Sequence, residues 1–126
     1  MNKEILQKAI KHYGTHNQML KCIEECGELS RAVSRILIEL SSGDGFTTKE
    51  SEENLHEELA DVLIMIDQMM MLFDCRDEVF AQGLRKLNRL KERLEHEWDE
   101  FIYRANSSKD VPGMWEAFYT YSSMDL

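Results

Sequence analysis

The chain has 126 residues, 43% of them apolar, which suits one domain with a core of its own and is unlike a disordered composition. The 15 Lys and Arg are outnumbered by 24 Asp and Glu, for a formal net charge of −9. Broad nucleic-acid binding, which runs on cationic contacts to phosphate, is thereby excluded, whereas a nucleotide bridged to carboxylates by a divalent cation is not.

A single proline and six glycines fit long helices better than a turn-rich β fold. Helix one is predicted from Asn2 to Tyr13, on the helical spacing of Ile5, Leu6, Ala9, Ile10 and Tyr13. Gly14 breaks it, and Thr15 is a plausible N-cap for the next element. Helix two is predicted from His16 to Leu40, with Met19, Leu20, Ile23, Leu29, Val33, Ile36, Leu37 and Leu40 as its core side. The polar stretch from Ser41 to Thr48 reads as a loop, and Thr47 with Glu50 forms a candidate capping box. Helix three is predicted from Lys49 to Phe73, with an apolar face of Leu55, Leu59, Val62, Leu63, Ile66, Met69, Met70 and Phe73. After a polar break at Asp74 to Asp77, helix four is expected from Glu78 to Arg104, with Val79, Phe80, Leu84, Leu87, Leu90 and Leu94 inward. From Asn106 onward the character changes. Asn106 to Ser108 is loop-like, Pro112-Gly113 marks a turn, and Trp115, Phe118, Tyr119 and Tyr121 cluster, as in a docking helix or a partly ordered tail. The expected fold is all-α, an antiparallel four-helix bundle over residues 1–105 with a tail over 106–126.

Cys22, Cys26 and Cys75 have no disulfide-framework spacing, which indicates reduced thiols and a cytoplasmic protein. Cys22 and Cys26 lie one helical turn apart, but tetrahedral zinc would need two more ligands. There is no apolar signal core at the start, and no apolar run approaches the roughly 20 residues of a membrane span.

Two acidic clusters interrupt the apolar pattern: Glu24-Glu25-Cys26-Gly27-Glu28 on helix two and Glu57-Glu58-Leu59-Ala60-Asp61 on helix three. At about 100° per residue, Glu25 and Glu28 lie about 60° apart on one face, and Glu58 and Asp61 repeat that geometry. Two helices facing one another in this way direct four carboxylates to one point. Like charges in a dry interior raise each other's pKa and destabilise the fold. A hard cation such as Mg²⁺, with Mn²⁺ as a substitute, resolves the conflict and keeps coordination positions for substrate phosphates. No His joins the cluster, which argues against zinc and di-iron.

These motifs, E-E-x-x-E followed by E-x-x-D, resemble those of the all-α nucleoside triphosphate pyrophosphohydrolases, the MazG-like and dimeric dUTPase-like superfamily. The segments Asn2 to Gly14, Gln18 to Leu29 and Ala60 to Gln68 are similar to its small phage and Firmicutes members. The Ser41 to Thr48 loop places the gap between the motifs at the long end of the usual range. The resemblance implies Mg²⁺-dependent hydrolysis of a nucleoside triphosphate, preferably a deoxynucleotide, between the α and β phosphates. It implies Glu25, Glu28, Glu58 and Asp61 as metal ligands, with Glu24 and Glu25 as catalytic carboxylates. Gln18, Lys21, Glu25, Glu28 and Ala32 form one stripe on helix two, and Asn54, Met65 and Gln68 share the Glu58 face of helix three. Gln18, Lys21, Asn54 and Gln68 are thus candidate substrate contacts, and on helix four Lys86, Arg89 and Lys91 are candidate phosphate partners. Asp67 lies opposite the metal face and is expected to be structural.

Two other readings are open. A ferritin-like di-iron bundle needs two E-x-x-H motifs, and the sequence has one, Glu53 to His56. A non-catalytic helical interaction module would keep the fold without the activity. The apolar arcs around Ile36, Ile38 and Leu40, and around Ile64, Met65, Met69, Met70 and Met71, exceed what one layer of helices can bury. With the resemblance, they lead us to expect a homodimer or homotetramer.

Overall fold

The computed structural model describes residues 2–42 and 45–107, with side chains through Arg104. The expected tail features, Pro112-Gly113 and the aromatic cluster, lie outside the described residues. Among the described residues there are four helices and no strand: α1 (Lys3–Tyr13), α2 (Thr15–Ser41), α3 (Lys49–Leu72) and α4 (Arg76–Ser107). The fold is all-α, as the periodicity requires. The chain divides into two compact units, Met1–Val79 and Phe80–Leu126. In the first, α2 and α3 pack most extensively and α1 touches both.

Local chemistry explains where the helices begin and end. Asn2 caps α1, its Oδ1 accepting the N–H groups of Glu4 and Ile5 at 3.1 and 3.4 Å. Gly14, at φ 85°, both closes α1 and opens α2: its N–H donates to Ile10 O at 2.9 Å, and its carbonyl accepts from Gln18 N at 3.1 Å. Thr15 is therefore the first residue of α2 rather than its cap. A backbone turn available to glycine replaces the side-chain cap expected there.

The α3 start lies one residue later than the capping box suggests. Thr48 is the N-cap, its hydroxyl accepting from Ser51 N, while Thr47 donates to Glu52. In a capping box, the cap's own N–H goes to an acidic side chain one turn ahead. Here it goes instead to Glu39 of α2, at 2.9 Å. Glu50 and Glu52 in the first turn of α3 complement its dipole.

At the far end of α3, Asp74 takes a left-handed φ of 47° and the Cys75 N–H returns to Met70 O at 3.1 Å, a Schellman-type closure. Asp67 then meets Arg76 at 2.6 Å. This ion pair ties α3 to the start of α4 and gives Asp67 the structural role expected of it. α4 begins earlier and ends later than predicted, continuing through Asn106 and Ser107.

The core departs most from the amphipathic reading. Its buried apolar residues are Leu6, Ala32, Met65 and Met70, and buried beside them are Gln18, Glu25, Ser51 and Gln68. Met19, Leu20, Ile23, Val33, Leu37 and Leu40, expected on the core side of α2, are all exposed. Leu59, Leu63 and Ile66 of α3, and Phe73 just past its end, are exposed as well. α2 turns its polar stripe, not its apolar arc, towards α3. On α4, by itself, Phe80, Leu84, Leu87, Leu90 and Leu94 fall on one apolar stripe. No helix among the described residues is long and apolar enough to cross a membrane.

Candidate metal centre

Spacing along the two helices assembles the site. On α2, Gln18, Glu25, Ala32 and Glu39 recur every seven residues; on α3, Ser51, Glu58 and Met65 form one such row, and Asn54, Asp61 and Gln68 another. Seven residues are about two helical turns, offset by about 20°, so each row keeps to one side of its helix. Glu39 meets Ser51 near the connecting loop, and Glu25 meets Glu58 and Asp61 further along. Descending α2 corresponds to ascending α3, so the pair is antiparallel.

At the middle level, one carboxylate oxygen from each of Glu25, Glu58 and Asp61 lies within 4.8 Å of the other two. Glu25 is 5% exposed, and Glu58 and Asp61 are half-buried. Three acidic groups this close repel one another, and oxygen donors from two helices are the set a hard divalent cation takes. The donor chemistry fits such an ion, and these three residues could hold it.

Glu28 stands beside this trio rather than inside it. Its carboxylate meets Arg31 Nη2 at 3.1 Å. Partial desolvation raises its pKa above the usual glutamate range, helped by the hydrogen bond with Glu25 and by the charges of Glu25, Glu58 and Glu24. The i, i+3 step that puts Glu28 on the Glu25 face also puts it within reach of Arg31, one further step along.

Lys21 supplies positive charge next to the trio. Its Nζ is 2.5 Å from Glu25 and 3.2 Å from Glu24. Hydrogen bonds to Glu25, then Glu24, hold the ammonium well above the ordinary lysine pKa. Glu24 is exposed and directed at Lys21. Asn54 Nδ2 donates to Glu58 Oε1 at 2.9 Å.

Gln18, Met65 and Gln68 are buried, and Ala32 is the small buried residue on the loop side of Glu25. Lys86, Arg89 and Lys91 lie exposed on the part of α4 that belongs to the second unit. Lys91 pairs there with Glu95 at 3.7 Å.

Sequence reasoning missed the closure at the loop end. Glu39 accepts from Thr48 N, the Thr48 hydroxyl and the Ser51 hydroxyl, at 2.9, 3.2 and 2.5 Å. Arg35 adds contacts to Glu39 and Glu50 at 3.4 and 3.5 Å. The signal was present: Glu39 continues the seven-residue row through Gln18, Glu25 and Ala32.

An all-α protein with convergent carboxylates on adjacent antiparallel helices is thus defined by its own geometry. The family model of the MazG nucleotide pyrophosphohydrolase domain matches residues 14–98, and the chain belongs to that family. The matched span includes α2, α3 and both acidic motifs. No curated protein and no solved structure matches the chain.

Proposed function

We propose that the protein hydrolyses a nucleoside triphosphate, preferably a deoxynucleotide, adding water across the α–β anhydride to give the monophosphate and pyrophosphate. The observation that carries this reading is the convergence of Glu25, Glu58 and Asp61 within the matched domain. These three residues, with Glu28 alongside, would hold Mg²⁺ or Mn²⁺. Such an ion neutralises phosphate charge and lowers the pKa of a bound water.

The chain's own residues have separable roles. Asn54 fixes the Glu58 carboxylate through its 2.9 Å hydrogen bond. Lys21 offsets the charge of Glu25 and Glu24 and stands where a phosphate oxygen could take up its ammonium. Glu24 orients Lys21 from the solvent side. Lys86 and Arg89 are further candidates for phosphate, Gln18 for a base edge, and Gln68 for a further substrate contact. The catalytic domain covers residues 1–105, and the three free cysteines suit a reducing, cytoplasmic setting.

The deciding assay is pyrophosphate release from the common ribo- and deoxynucleoside triphosphates with Mg²⁺, against a chelated control. Release that depends on the cation and is lost in Glu58→Gln supports the reading. No release from any nucleotide removes it.

The uncovered apolar arcs support a homodimer or homotetramer as the working form. Leu37, Ile38 and Leu63 are each more than half exposed, at 63, 66 and 57%, and exposed apolar surface on this scale marks an interface. Light scattering at micromolar concentration should show at least a dimer, with activity falling on dilution. A stable, fully active monomer would refute this.

A further inference from the structure

We infer that Gln68 reads the nucleobase, its Oε1 accepting a hydrogen bond from an N–H on the base edge; this rests on the pyrophosphohydrolase reading above. Gln68 is 4% exposed, and its Oε1 is buried with no hydrogen-bond partner. A buried amide acceptor without a donor costs free energy comparable to a lost hydrogen bond. Sequences rarely retain such a group unless something outside the chain completes it.

Its position indicates what that would be. Gln68 follows Asp61 by seven residues on α3, about 10.5 Å along the axis and on nearly the same face. A ribose and its glycosidic bond can bridge that separation, with the phosphates at the carboxylates and the base at the amide. The antiparallel pairing brings Gln18, seven residues before Glu25 and 7% exposed, to this same end. A site that hydrogen-bonds its substrate rejects analogues lacking the matching group more strongly than an apolar pocket can. The opposite end of the interface cannot serve, because Glu39 there is already supplied with donors by Thr48 and Ser51.

Gln68→Met tests this, because it keeps the length of the side chain and deletes the acceptor. Three readouts are needed: melting of the nucleotide-free protein, Mn²⁺ binding by electron paramagnetic resonance, and kcat and KM over a panel of triphosphates. The expected result is an unchanged or higher melting temperature, since the unsatisfied acceptor is gone, with unchanged Mn²⁺ affinity. KM for the preferred nucleotide should rise roughly tenfold, the scale of one hydrogen bond, with little change in kcat, and discrimination among bases should flatten. Within the panel, UTP and ITP offer a ring N–H without an exocyclic amine, and CTP and ATP offer the amine without the ring N–H. The pair whose advantage disappears identifies the donor. A lower melting temperature with base discrimination intact would show that Gln68 binds an internal water and would overturn the inference. Pyrophosphate release without any base preference in the wild type would overturn it while leaving the catalytic reading in place; no release from any nucleotide would remove both.

Discussion

At the loop end of the α2–α3 interface, Glu39 is surrounded by donors from the opposite helix start: the Thr48 N–H and the hydroxyls of Thr48 and Ser51. Two levels along the same row of α2, Glu25 is more enclosed, yet the groups facing it from α3 are two more carboxylates. Same residue type, same row, opposite surroundings: Glu39 is completed by its own chain, whereas the Glu25 level holds more negative charge than nearby Lys21 offsets. A carboxylate satisfied internally does structural work, and a cluster left in repulsion is a place for a ligand to bind.

The largest expected effect comes from breaking the unsatisfied level. Asp61→Asn or Glu28→Gln should lower pyrophosphate release by more than about 100-fold, since even outer-sphere partners of a metal cost 10- to 100-fold. The apo protein should melt at the same temperature or higher, because like-charge repulsion is relieved. Mg²⁺ at about 100 times its Kd should stabilise the wild type by about 2.7 kcal/mol and have little effect on Asp61→Asn, as read by calorimetry. Unfolding of either variant would instead make these carboxylates structural partners, like Glu39.

The satisfied level should respond in the opposite sense. Thr48→Ala removes the hydroxyl that caps α3 and donates to Glu39, and should cost about 1 kcal/mol of stability. Chemical denaturation would measure this, and Mg²⁺ affinity should barely move. A loss of metal binding as large as the loss of stability would show that the two levels are mechanically one.

The smallest effect is on pH dependence. The Ser51 hydroxyl, then the Thr48 N–H, hold the Glu39 pKa below its ordinary value of 4.5. With the folded value below the unfolded one, the charge of Glu39 stabilises the fold fully above the unfolded value, and that contribution disappears as pH falls through the folded value. The stability difference between wild type and Glu39→Gln should therefore be flat near neutrality and shrink below about pH 4.5. A difference that grows with acid would reverse the assignment.

Much of this architecture was legible in local pattern. Helix existence and most boundaries follow from periodicity and from Asn2 and Gly14, because capping is decided within a few residues. The pairing of Glu25 with Glu28, and of Glu58 with Asp61, follows from helical geometry alone. The shift of the α3 cap from Thr47 to Thr48 was not legible, because the acidic partner of the cap comes from Glu39, on another helix.

The sequence by itself determined four helices, the two acidic motifs and the seven-residue rows that carry them. Only the tertiary structure decided which face of α2 meets α3. Hydropathy favours the arc of Leu20, Ile23 and Leu37, yet these are exposed and Gln18, Glu25 and Ala32 are buried. A helix's periodicity fixes which residues share a face but not what that face packs against. That choice depends on the opposing helix, from whose start the Thr48 N–H and the Ser51 hydroxyl donate to Glu39. The placement of Glu28 beside the trio, turned to Arg31, was decided in the same way: two partners lay within its reach, and the spacing alone could not choose between them.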